Sequence, residues 1–196
     1  LIHADEGEIL IDGTPIEDIP ITTIRSIIGY VPQDTFLFSD TIRENVFLGG
    51  SDASDESVIR ATEISQLSGD LEIMPEGIET IVGERGVTLS GGQKQRTTLA
   101  RAVIREPKIL ILDDSMSSVD TRTEEAILGG LREVMRERTT VLIAHRISTV
   151  KDADHIVVMD EGRIVEEGDH DSLVAQDGIY GEMYRRQHLA AELDGM

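Results

Sequence analysis

Leu89-Ser90-Gly91-Gly92-Gln93, followed by Lys94-Gln95-Arg96, is the stretch from which the rest of the chain is read. Its glycines let backbone N–H groups approach an anion closely, and the helix-forming run behind them turns its positive dipole end to the same point. Ser-Gly-Gly by itself more often marks a plain turn and a helix start. The sequel changes that reading. Ile109–Asp113 is a short apolar run ending in a carboxylate, the pattern of a buried strand presenting an acid at its C-terminal end. An acid so placed suits Mg²⁺ in a nucleotide site.

Composition bounds the reading. A chain of 196 residues, 39% of them hydrophobic, fits one domain with a real core. No apolar run is long enough to span a bilayer. Without cysteine there is neither a disulfide framework nor a thiolate metal site. Eighteen basic residues against 38 acidic ones give a net charge of −20, which argues against general affinity for nucleic acid. Residues 84–108 run the other way, with six basic residues (Arg85, Lys94, Arg96, Arg101, Arg105, Lys108) against two acidic ones. Arg105 and Lys108 read as a solvated face, whereas the first turns after Gln93 read as phosphate-facing.

Along the chain, residues 8–11 predict a short strand turned by Asp12-Gly13. Residues 15–20 connect it to a short helix over 22–27, and a strand over 28–31 is stopped by Pro32. Gln33 follows in a loop. Its amide satisfies backbone groups or, at a strand end, reaches a metal ion. Helices are expected over 41–48 (capped by Asp40 or Thr41), over 55–67 (capped by Ser54 or Asp55) and within 69–77, with a polar break at 49–54. Residues 80–86 form a glycine-punctuated loop. Beyond Asp113 strands alternate with helices, as in a parallel α/β sheet. An amphipathic helix over 121–135 precedes a buried strand over 139–144 that ends at His145. Strands over 155–159 and 163–166, turned by Asp160-Glu161-Gly162, form a hairpin at the sheet edge. Helices over 169–175 and 180–193 close the chain.

Taken in this order, the motifs resemble those of the nucleotide-binding domain of an ABC exporter almost from end to end. The resemblance implies a P-loop NTPase α/β core with a parallel sheet and a helical subdomain over about 34–106, then core strands and C-terminal helices over 107–196. Gln33 matches the Q-loop, which touches Mg²⁺ and senses the membrane domain. Residues 80–86 match the X-loop, and Leu89 to Gln93 the signature that binds nucleotide through Ser90, Gly91, Gly92 and Gln93. Asp113 matches the Walker B metal carboxylate, Ser117-Ser118-Val119-Asp120 the D-loop, and His145 the switch histidine at the γ-phosphate. ATP and Mg²⁺ are the implied cofactors, and the cytoplasmic face of the cell membrane the implied location.

Two departures from the family pattern matter more than the matches. The Walker A pattern G-x-x-x-x-G-K-[ST] is absent from these residues. In the family it lies just upstream of the first strand, as does the transmembrane domain. The chain therefore reads as the C-terminal part of a longer protein or the product of a truncated gene, unable to bind ATP well alone. Asp114 stands where the family usually has the glutamate that polarises the attacking water. Aspartate is one methylene shorter, and a general base must lie within hydrogen-bond reach of its proton. An intact signature beside a shortened acid resembles one subunit of a heterodimeric exporter. Such a chain lends Ser90, Gly91 and Gly92 to its partner's competent site, and Asp113, Asp114 and His145 to its own impaired one. Arg85, Lys94 and Asp120 are expected near the dimer interface. The competing readings are a homodimeric exporter half with an active Asp114, a DNA-repair or chromosome-structure ATPase, and an inactive remnant. The second calls for heptad stretches and a basic surface, which this sequence lacks.

Overall fold

The computed structural model describes residues 4–48, 54–83 and 87–194. Residues 49–53 of the expected polar break, and Glu84, Arg85 and Gly86 of the glycine-punctuated loop, lie outside them, as does the expected interface position of Arg85.

The first strand is shorter than expected. β1 (Leu10–Ile11) pairs antiparallel with β2 (Thr14–Pro15) around Asp12 and Gly13, both at positive φ, as the tightest hairpin turn requires. After α1 (Ile21–Ile27), β3 (Ile28–Val31) enters the main sheet. Three helices follow: α2 (Ile42–Phe47), α3 (Asp55–Ile64) and α4 (Ser68–Ile73). Their caps are resolved. Thr41 accepts from the Glu44 N–H and Ser54 from the Ser57 N–H, while Asp40 accepts from the Thr41 N–H outside the helix. The single helix expected over 55–67 stops at Ile64. Gln66 takes φ of 57°, and the chain restarts as α4.

α5 (Gly91–Val103) leads into β4 (Ile109–Asp113), then α6 (Thr121–Arg136) and β5 (Thr139–Ile143). Strand order is β3-β4-β5, all parallel, with Val31 opposite Leu112 and Asp113 opposite Ile143. One face of this sheet is dry. Val31, Leu110 and Leu112 pack with Leu99 and Val103 of α5 and Ile127, Leu131 and Val134 of α6. Gly29 is required there, since a Cβ would stand 2.7 Å from the Pro107 ring. On the opposite face Tyr30, Val141 and Ile143 are about half exposed. A second apolar cluster joins α2, α3 and α5 through Ile42, Val46, Val58, Ala61 and Ala100, with Leu67, Val82 and Leu89 from the connecting segments.

The last third adds one helix and departs from expectation in its hairpin. A short helix, α7 (Ile147–Val150), follows β5 in a stretch for which the sequence had suggested no element. The hairpin of β6 (Ile156–Asp160) and β7 (Arg163–Gly168) forms its own two-stranded sheet rather than an edge of the three-stranded one. α8 (His170–Ala175) and α9 (Ile179–Asp194) pack on it, and Ile147, Ile156, Leu173 and Tyr180 form a third cluster. Among the described residues no helix is long and apolar enough to cross a membrane.

Candidate functional site

Because β3, β4 and β5 are parallel, the loops leaving their C-terminal ends emerge at one edge of the sheet. Gln33 lies two residues beyond β3, Asp113 closes β4, and His145 lies two residues beyond β5. Asp113 is half-buried, and its Oδ2 accepts the Tyr30 hydroxyl at 3.2 Å. Partial desolvation, then that hydrogen bond and the negative charge of Asp113, hold the Tyr30 phenol above its ordinary pKa.

Asp114 extends the β4–β5 ladder by one bond, its N–H donating to the Ile143 carbonyl at 2.9 Å. Its φ of 45° is left-handed, a conformation an aspartate holds only when its surroundings impose it. Asp114 and His145 line one pocket of about 100 Å³, together with Ser115, Glu124, Arg146 and Thr149. The buried Ser115 hydroxyl has no hydrogen-bond partner among the described residues. Gln33 is exposed and does not line this pocket.

The stretch Leu89 to Gln93 is built as a helix start. Ser90 caps α5, accepting from the Gln93 N–H at 3.2 Å, while the Gln93 Oε1 accepts from the Ser90 N–H at 2.9 Å. This reciprocal pair satisfies two otherwise orphaned donors. Ser90 and Gly91 are exposed; Gly92 is buried against the loop after β4, where a Cβ would stand 3.0 Å from the Ser118 carbonyl oxygen. One part of the phosphate-facing expectation is corrected here. Arg96 turns inward, its Nη2 donating to Asp70 Oδ2 at 2.6 Å, and the same carboxylate accepts from Gln93 Nε2 at 3.0 Å. The pair is largely buried, so the guanidinium is spent on holding α4 to α5. Arg101 is likewise committed, donating to the carbonyls of Asn45 and Phe36, and burial lowers its pKa. Arg105 is also engaged, donating to the Arg25 carbonyl at 2.9 Å. Asp120 caps α6, accepting from the Thr123 N–H at 3.0 Å and from its hydroxyl at 2.6 Å; those bonds lower its pKa.

Sequence reading missed Glu124 and Arg146. Glu124 is 2% exposed, and its carboxylate accepts from the Arg146 guanidinium and from the Thr149 hydroxyl. Arg146 also donates to the Val119 carbonyl at 3.3 Å, so the segment after β5 is tied to the segment before α6. A signal existed. Glu124 sits three residues before Ile127 and seven before Leu131, an acid on the apolar stripe of α6.

A parallel sheet presenting a carboxylate at a strand end, beside a glycine-rich helix start, defines an α/β core of the nucleotide-binding type. The chain belongs to the ABC transporter family: the family model so described matches residues 1–117. A probable multidrug resistance ABC transporter ATP-binding/permease protein of Bacillus subtilis is 50% identical over 190 residues, covering 97% of this chain and 32% of its own length. An ATP-dependent lipid A-core flippase of Chromobacterium violaceum is 41% identical over 188 residues, covering 96% of this chain and 32% of its own. The solved structure of a bacterial Atm1-family ABC exporter with ATP bound superposes with a TM-score of 0.89 at 46% identity, covering 94% of this chain and 32% of that one. The chain thus spans about a third of the length of the relatives it matches. ATP binding is implied by the family.

Proposed function

We propose that this chain is part of the ATP-hydrolysing machinery of an ABC exporter, at the cytoplasmic face of a membrane. In this reading it pairs with a second ABC subunit, a different one, and works with a fused transmembrane domain that carries a drug- or lipid-like cargo. The reading is supported by the names of the relatives and, for the asymmetry, by one observation: an intact signature and an aspartate at position 114 stand on the same chain.

The roles divide accordingly. Ser90, Gly91, Gly92 and Gln93 serve the partner's nucleotide, with Asp120 nearby at the subunit boundary. Asp113, Asp114, Gln33 and His145 serve the chain's own. Mg²⁺ fits the donor set. The Asp113 carboxylate and the Gln33 amide are hard oxygen donors at one sheet edge, and this ion usually takes one or two carboxylates and completes its shell with phosphate and water. When bound, the ion neutralises phosphate charge. Of the chain's own groups, Asp113 holds that charge in place and His145 donates to a terminal phosphate oxygen. Asp114 is the candidate general base, one methylene short of the usual glutamate.

Purifying the assembled transporter with its partner, and the homodimer without it, tests this directly. The proposal expects ATP turnover only from the mixed assembly. Full turnover by the homodimer would replace it with a homodimeric exporter whose Asp114 works.

A further inference from the structure

His145 has no secondary structure of its own to hold it: it lies between the last residue of β5 and the first turn of α7. What grips it comes from the end of the chain. Gln187, on α9, donates from Nε2 to the His145 carbonyl at 2.8 Å and accepts the Ile147 N–H on Oε1 at 2.8 Å. One side-chain amide therefore bridges both peptide groups that flank Arg146. The opposite side of the same segment is held by the Arg146 side chain through Glu124 and Val119. α9 is anchored in turn. The Glu166 carboxylate accepts from the N–H groups of Ile179 and Tyr180, and Tyr180 is buried in the cluster that contains Ile147.

We infer that Gln187 is a positioning residue for His145, fixing the peptide that aims the imidazole and making the set of α9 a determinant of that aim. The inference rests on the proposed contact of His145 with a terminal phosphate. A clamp of two hydrogen bonds on a three-residue segment leaves the backbone little rotation. Without it, Ile147 loses the acceptor for an N–H at the start of α7, where no intrahelical partner exists.

The test uses the assembled transporter. The preference of this chain's own site for ATP over ADP is read by photo-crosslinking competition in the wild type, His145→Ala, Gln187→Met, Gln187→Glu and the His145→Ala/Gln187→Met double variant. Gln187→Glu keeps the length and the acceptor but loses the donor to His145, which guards against a folding artefact. Hydrogen exchange over residues 145–150 is followed in the same samples. The expected result is a loss of ATP preference of about tenfold or more in His145→Ala, the scale of one hydrogen bond to a charged group. Gln187→Met and Gln187→Glu lose most of that preference, Gln187→Met adds nothing to His145→Ala, and exchange over 145–150 accelerates. Unchanged preference in both Gln187 variants while His145→Ala loses it, additive losses in the double variant, or unchanged exchange would overturn the positioning role. No effect of His145→Ala alone would remove the phosphate contact itself, and that arm separates failure of the underlying reading from failure of the clamp.

Discussion

Gln95 and Ser117 are joined by a hydrogen bond from Nε2 to Oγ of 3.1 Å, which ties the second turn of α5 to the loop leaving β4. The Gln95 Oε1 accepts the Ser118 N–H at 3.0 Å, and the Ser117 hydroxyl donates to the Asp114 carbonyl at 3.0 Å. The start of α5 and the Asp114 loop thus belong to one hydrogen-bonded body, and a shift of either is felt by the other.

That body predicts the effect of filling the gap beside it. Gln95→Leu leaves the part-buried Ser118 N–H without its acceptor, at a cost of roughly 1–3 kcal/mol. Gly92→Ala forces the Ser118 carbonyl to yield from a 3.0 Å approach. Both variants should unfold at lower urea than the wild type, while a surface substitution leaves the midpoint unchanged. Wild-type midpoints in both would refute the coupling.

Glu124 and Arg146 predict an asymmetry. The acid is 2% exposed and the arginine side chain 38%. Removing Arg146 strands a buried carboxylate, whereas neutralising Glu124 leaves an arginine that reaches solvent. Arg146→Met should cost roughly 3 kcal/mol and Glu124→Gln distinctly less, measured by denaturant unfolding. The reverse order would show that the pair is not desolvated as described.

Asp120 sets an acid limit on α6. Its pKa is lowered by the Thr123 hydroxyl and N–H, so the cap contributes fully above the ordinary carboxylate pKa of about 3.9 and is lost as pH falls through the lower folded value. Asp120→Ala should therefore melt below the wild type at pH 7, and the gap should narrow as pH falls below the ordinary carboxylate value and on through the lowered folded one. A gap independent of pH would contradict the cap.

The outer sheet face predicts self-association. Tyr30, Val141 and Ile143 are 52%, 45% and 48% exposed on strands of a kind that normally has both faces covered. The chain alone should scatter light increasingly with concentration, and Val141→Thr/Ile143→Thr should reduce it. Equal scattering by the two would locate the association elsewhere.

Much of this was legible in the sequence because burial and capping leave local marks. Ile109 to Asp113 shows as apolar residues ending in an acid, and Ser90 as a cap three residues before Gln93. What was hidden is tertiary. Ile147 to Val150 is β-branched at three of its four residues and gives no helical sign, and no glycine or proline announces the break at Gln66. The inward turn of Arg96 depends on Asp70, 26 residues away. Gln187 meets His145 across 42 residues, and nothing in a helix-surface glutamine reveals such a partner.

In the proposed function Ser90 and Asp114 serve different sites of unequal power. In the assembled transporter, ATP turnover of Ser90→Arg and Asp114→Ala should be compared side by side. Loss of a working general base costs on the order of a hundredfold to ten-thousandfold in rate. Ser90→Arg should nearly abolish turnover, while Asp114→Ala should cost far less than that range. Equal and severe loss in both would contradict it.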